Sequence, residues 1–270
     1  MMTVQQTMSH RWRVPARTLT LSTTDGVRIE GTRLGHPGTD LPALVLGHGL
    51  MGWHRKPRFA WFAERLTPWF SVYPFDFRGH GRSGGVCDYG GAEIKDVEAM
   101  VRLTRRAGFE RVVTCGTSMG AIAVLRHGGL IGGVDTIVGI SSLAYWDWHE
   151  GAHPKAARNM RARISTPSGR AALRAWGVRL PGKWPREGEA KESPEEVVGR
   201  IAPTPLVICH GRNDHLFGED HPRRLYEAAG EPKRMLLGDR FGHAEDGLTP
   251  EFARRLSKVI YEELELPWSA

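Results

Sequence analysis

The chain has 270 residues, 40% hydrophobic and 25% charged, which suits one large domain with a real core and excludes a disordered chain. Its formal net charge is +7, but residues 151–200 carry most of that excess, with eleven Lys and Arg against five Glu, which argues against a nucleic-acid surface spread over the protein. No run approaches the ~18 apolar residues of a membrane helix, and residues 1–13 hold no apolar signal core, so the chain reads as cytoplasmic, soluble and without stable membrane insertion.

In chain order, residues 18–21 and 27–30 alternate apolar and polar around Asp25-Gly26, a hairpin signal. From residue 41 short apolar runs alternate with segments of helical period. Strands are predicted at 43–46, 72–77, 111–115 and 136–140. Helices are predicted at 58–69, 94–106 and 119–127. The alternation stops over 145–200, where polar, Pro-interrupted helical pieces carry no apolar strand. It resumes with strands at 205–209 and 234–237 and helices at 223–229 and 250–263. Strands separated by helices of this length imply a mostly parallel sheet covered on both faces. Residues 145–200 read as a lid laid over the strand ends, because the sheet continues after them. The core is then 16–144 and 201–266. Cys87, Cys115 and Cys209 are odd in number and share no metal-ligand spacing, so they read as inert core thiols.

The chemistry sits where strands end. Gly116-Thr117-Ser118-Met119-Gly120 follows an apolar strand and opens a helix, the setting of a nucleophile elbow. A serine at the tip of so tight a turn needs small residues two positions before and after it. Leu46-Gly47-His48-Gly49-Leu50 follows another strand, and its backbone can supply one oxyanion donor while the residue after the nucleophile supplies the other. Those donors are the amides of Met119 and Leu50; the His48 side chain reads as a structural hydrogen bonder. The Gly-rich stretch from Phe75 to Gly84 reads as a structural loop near the site, with Asp76 and Arg78 paired locally. Asp214 lies just beyond the strand 205–209, and His243 lies in the loop after the next strand. Asp214 would hold the tautomer of His243, and His243 would take the proton of Ser118. No carboxylate-histidine cluster at metal spacing appears, and no cofactor is expected.

Taken together, the His-Gly loop, Asp-x-Arg-Gly-His-Gly-x-Ser, Gly-x-Ser-x-Gly, His-Gly-x-x-Asp and a late Gly-His resemble the α/β-hydrolase superfamily over roughly residues 18–264. The likeness is greatest to its lid-bearing esterase, lysophospholipase and serine-aminopeptidase-like members. The resemblance implies an α/β-hydrolase fold, a mostly parallel eight-stranded sheet with helices on both faces and a helical lid. It also implies cofactor-free catalysis by Ser118, Asp214 and His243. Serine at the nucleophile position argues against the epoxide-hydrolase and haloalkane-dehalogenase branches, which use aspartate there.

The expected activity is hydrolysis of a small or medium carboxylic ester through an acyl-enzyme. A thioester, an amide or peptide, or acyl transfer would use the same residues, and a non-catalytic ligand binder is the rival of another class. Trp53, Tyr145, Trp146 and Trp148 fall at the C-terminal rim of the sheet, where they either line the substrate pocket or pack the lid onto the body. The basic residues of 145–200 either steer anionic substrates or form a solvated face. The sequence leaves the oligomeric state and the natural substrate open.

Overall fold

The computed structural model describes residues 8–146, 154–181 and 191–268. Strands β1 (Ala16–Ser22) and β2 (Arg28–Leu34) form the expected hairpin. Its turn is closed by the Thr23 amide donating to Val27 O at 2.9 Å, with Gly26 at φ 77°, a left-handed position that favours glycine. Six further strands follow: β3 (Ala43–Gly47), β4 (Ser71–Phe75), β5 (Val112–Thr117), β6 (Thr136–Ile140), β7 (Leu206–Gly211) and β8 (Lys233–Gly238).

The sheet has eight strands in the order β1-β2-β4-β3-β5-β6-β7-β8. The hairpin joins β4 antiparallel, and every pairing from β4 to β8 is parallel. The expected α/β-hydrolase architecture is therefore the observed one. From β3 the chain first steps to β4 on one side and later to β5 on the other, so winding reverses between β3 and β5. Ligands of open α/β sheets bind at such a reversal, beyond the carboxyl ends of the strands. Here the register sets Gly47 against Gly116, which brings the loop after β3 beside the loop after β5.

Helices cover both faces. Helices α1 (Pro57–Leu66) and α8 (Pro250–Glu263) lie on one face, where Phe59, Phe62 and Ile260 pack on Leu44, Leu46 and Val113. Helices α2 (Ile94–Arg106) and α3 (Met119–Leu130) lie on the other, where Val97, Met100 and Val124 meet Val45 and Tyr73. Leu44 and Leu46 face one layer and Ala43 and Val45 the other, the two-residue period of a strand buried on both sides. Helix α1 stops at Leu66, three residues short of the expectation: Pro68 has no N–H for the Glu64 carbonyl, which accepts the Thr67 amide at 3.2 Å and the Thr67 hydroxyl at 2.8 Å instead. Strand β4 stops at Phe75, two short, and Phe77 donates its amide to the His48 ring instead of a ladder.

Between β6 and β7 lie α4 (Pro154–Ser165), α5 (Pro167–Trp176) and α6 (Pro194–Val197). Helix α5 has a proline in its first turn, the Thr166 hydroxyl accepting the Gly169 amide at 3.1 Å, and Gly177 at φ 118° just past its end. Helix α7 (Asp220–Ala228) connects β7 to β8.

Candidate active site

Ser118 stands between β5 and α3 at φ 52° and ψ −117°, a strained conformation for a residue with a side chain. Its amide donates to Ile140 O at 2.8 Å, which holds the turn to β6. The flanking glycines are sterically required. A Cβ on Gly116 would stand 2.2 Å from Gly120 O, and one on Gly120 would stand 2.7 Å from both Gly47 O and His48 O. Strand, helix and the β3 loop therefore meet at van der Waals contact behind the serine.

The structure brings Ser118, His243 and Asp214 together. His243 Nε2 is 2.9 Å from Ser118 Oγ, and its Nδ1 is 2.8 Å and 2.9 Å from the two Asp214 oxygens. A carboxylate only accepts, so Nδ1 carries the proton and Nε2 offers its lone pair to the hydroxyl. Asp214 is 2% exposed, and its Oδ1 also accepts the amides of Leu216 and Phe217 at 2.9 and 3.0 Å. Burial alone would raise its pKa, but the His243 hydrogen bond and charge outweigh it and hold the carboxyl below its ordinary range. The competing carboxylates near His243 point elsewhere: Glu245 pairs with Lys56 at 2.9 Å and Asp246 with Arg58 at 3.3 Å.

Several supports carry no signal in the sequence. The Phe217 ring packs edge-on against His243 with centroids 5.1 Å apart. The Ser141 hydroxyl accepts the Ala244 amide at 3.0 Å and so braces the residue after His243. His210, buried beside Asp214, lies with Nε2 3.0 Å from Phe217 O.

The β3 loop is held from beneath. His48 is fully buried, and its Nε2 accepts the Phe77 amide at 3.2 Å, so Nδ1 carries the proton and donates to Gly49 O at 2.8 Å. Burial, helped by His80, pushes the His48 pKa down to about 3. Gly49 O also accepts the Gly52 amide at 2.8 Å. That carbonyl belongs to the same peptide group as the Leu50 N–H, so two donors fix the plane that aims it. The Met119 amide heads α3 directly after Ser118. Among the described residues neither amide has a protein acceptor. His80 Nε2 lies 2.8 Å from Leu50 O.

Asp76 and Arg78 do not pair with each other, contrary to the sequence expectation. Arg78 donates through Nε and Nη2 to Asp96 at 2.9 and 2.7 Å and through Nη1 to Asp25 at 2.9 Å. Its amide also donates to Asp96 at 2.8 Å, so one carboxylate on α2 captures both backbone and side chain. Asp76 instead accepts the amides of His54 and Arg82 and lies 2.8 Å from His54 Nδ1. His54 and these amides hold its carboxyl well below the usual range despite burial, which acts the other way.

A cleft of about 500 Å³ opens over Ser118 and His243. Leu50, Met51 and Leu216 line it, and Met160 of α4 reaches it from above. Three of the four aromatic residues expected at the rim do not line it. Trp53 is 3% exposed and packs edge-on against Trp176 of α5, whose indole N–H donates to Met51 O at 3.1 Å. Tyr145 donates to Asp220 at 2.7 Å and stacks on His221. Trp146 donates to Lys191 O at 2.6 Å and packs on Ile122, Leu143 and Phe217 of the body. These contacts pack the 145–200 segment onto the body, the second of the two readings. Trp148 lies outside the described residues.

Among the described residues, no cation of that segment lines the cleft. Lys191 pairs with Asp88 and Arg200 with Glu192. Arg170 and Arg179 donate to backbone carbonyls, while Arg158, Arg163 and Arg174 are exposed. The three cysteines are buried and free, and burial raises the pKa of each. Among the described residues no helix is long and apolar enough to cross a membrane.

Comparison with known proteins places the chain in a family. Residues 44–265 match the alpha/beta hydrolase family. YfhR of Escherichia coli strain K12, an uncharacterized protein, is 26% identical over 234 residues, covering 82% of this chain and 71% of that one. The Pyrococcus furiosus esterase Pf2001 superposes with a TM-score of 0.73 at 21% identity, over 94% of this chain and 97% of that one. The enol-lactonase of Burkholderia xenovorans LB400 superposes with a TM-score of 0.64 at 16% identity, over 92% and 100%. At such identities the superpositions speak for the fold.

Proposed function

This chain belongs to the alpha/beta hydrolase family, and from that premise we propose that it is a serine hydrolase that cleaves carboxylic esters through an acyl-enzyme. The observation that carries the reading is His243 bridging Ser118 Oγ at 2.9 Å and Asp214 at 2.8 Å. Ser118 Oγ attacks the ester carbonyl while His243 Nε2 takes its proton. Asp214 stabilises the imidazolium so formed and remains ionised. The carbonyl oxygen becomes an oxyanion held by the amides of Met119 and Leu50, at the positive end of α3. His243 then returns the proton to the departing alkoxide, which leaves as the alcohol. Water attacks the acyl-Ser118 ester with His243 again as base, and the acid departs as the serine is restored.

In this reading residues 145–200 are a lid over the core formed by 16–144 and 201–266. Met160 reaching the cleft and Trp176 gripping the Met51 carbonyl support it. The substrate is a small molecule, and a cleft of about 500 Å³ suits a small or medium acyl group.

A fluorophosphonate probe and a series of p-nitrophenyl esters of rising chain length test the reading, with a thioester and an aminoacyl anilide run beside them. Labelling that maps to Ser118 and is lost in Ser118→Ala, together with ester turnover, is the expected result. Full ester turnover in Ser118→Ala overturns the assignment. Faster turnover of the thioester or the anilide moves the substrate class while keeping the site.

A further inference from the structure

Two elements bring charged side chains to the cleft over Ser118: the start of α1, with Lys56 and Arg58, and the turn after His243, with Glu245 and Asp246. The charges are paired where the two elements meet. Lys56 Nζ lies 3.0 and 2.9 Å from the two Glu245 oxygens, and Arg58 Nη1 lies 3.3 Å from Asp246 Oδ1. The Lys56–Glu245 pair is the drier one, with side chains 27% and 16% exposed, whereas Arg58 and Asp246 are about half exposed. Screening by water therefore leaves the inner pair as the electrostatically significant one. The remaining side chains of the walls include Leu50, Met51, Leu216 and Met160.

This pattern bears on the substrate. A substrate carboxylate beside Lys56 would have to displace Glu245, and an ammonium beside Glu245 would have to displace Lys56. Either would lose hydration on entering an apolar cleft and meet a pair whose fields cancel. A neutral apolar group meets no such cost. We infer that the enzyme selects uncharged esters because the cleft is lined mainly by apolar side chains and the charges of its inner pair, Lys56 and Glu245, cancel. The inference rests on the serine-hydrolase reading of Ser118 and adds the substrate class. Of the two readings of the basic residues of 145–200, it goes with the solvated face, since none of those described lines the cleft.

Breaking one half of a pair leaves the other half uncompensated, so the choice should switch with the residue removed. The test uses three p-nitrophenyl esters of equal acyl length ending in a methyl, a carboxylate or an ammonium group. The wild type should show the highest kcat/KM for the neutral ester. In Glu245→Gln the carboxylate ester should gain roughly tenfold relative to the neutral one, the scale of one unit charge a few ångströms away at a part-buried site. In Lys56→Met the ammonium ester should gain by a similar factor. Both gains should fall in ~0.5 M salt. The double variant Lys56→Met/Glu245→Met, which leaves no buried charge behind, should keep the wild-type order.

A wild-type preference for either charged ester overturns the inference. So does a common loss on all three esters in both single variants, since the pair then only braces the His243 turn. If a single variant does not fold, as judged by circular dichroism, the wild-type and double-variant orders decide alone. No turnover of any ester with no probe label on Ser118 is a different failure, because it removes the serine-hydrolase reading itself.

Discussion

Two imidazoles stand at the rim of the sheet on opposite sides of Ser118, and they differ in what their nitrogens hold. His48, after β3, is sealed from solvent and gives both nitrogens to backbone, one to Gly49 O and one to the Phe77 amide. His243, after β8, gives one nitrogen to Asp214 and keeps the other on Ser118 Oγ, with 11% of its side chain exposed. The first has no free lone pair and cannot act as a base; it is a fixed donor that aims a peptide. The second has an oriented lone pair facing a hydroxyl. Burial and partner choice give the same side chain a scaffolding part in one loop and, in the proposed mechanism, a proton-transfer part in the other.

The widest expected gap between the two is in turnover. His243→Ala should lower kcat by roughly 10⁵–10⁶, the scale of losing the base of a serine triad. His48→Ala should lower it by at most ~10²–10³, the scale of one misaimed oxyanion donor. Ester kinetics on both variants, corrected for folded fraction, measure the gap. Equal losses would mean that His48 does chemistry and that the contrast is wrong.

The next comparison is between carboxylates. Asp214→Asn should lower kcat by up to ~10⁴ through the wrong His243 tautomer. Asp246→Asn, which removes only an exposed ion pair, should stay within about threefold. The reverse ranking would place the acid on the wrong residue despite its 2.8 Å contact.

The buried, neutral state of His48 should also show in stability against pH. Its folded pKa of about 3 lies below the ordinary 6.5, so between those values the unfolded chain takes up a proton that the native state refuses. That contribution to stability is complete above pH 6.5 and is lost as pH falls toward 3, by something of order 5 kcal/mol. His221, pushed down to about 4 mainly by burial, acts in the same sense. Glu93, raised to about 7 by burial, acts in the opposite sense, stabilising in acid and losing that effect as pH rises through 7. Urea midpoints at pH 7 and pH 5 should therefore lie closer together in His48→Asn than in wild type. Equal spacing in the two proteins would show that His48 does not resist protonation.

The smallest effect sits where α5 meets the oxyanion loop. Trp176→Phe keeps the ring against Trp53 but removes the N–H that holds Met51 O. Losing one such hydrogen bond costs about 1 kcal/mol, so kcat should fall about fivefold with little change in KM. A rise in KM alone would show that α5 shapes the cleft without steadying the loop.

Much of this was legible in the sequence because it is local. Apolar runs and helical periods located all eight strands, since the two periodicities are written into neighbouring residues. The turn at Ser118 was legible for the same reason: its requirements fall within two residues on either side, and the structure puts backbone where any larger side chain at Gly116 or Gly120 would stand. What the sequence left open depends on strand order and on the direction a side chain takes on leaving a strand. Arg78 found Asp25 and Asp96 instead of Asp76, two positions away. Trp53 turned toward Trp176, and Tyr145 toward Asp220. Ser141 met Ala244, 103 residues on, only because β6 lies beside β7 and carries that hydroxyl under the His243 turn. Lys56 and Glu245 are 189 residues apart and pair at the cleft only because the start of α1 meets the turn after His243. Local propensity is a property of a few consecutive residues. Which charges cancel in the cleft is a property of the assembled sheet and the helices laid on it.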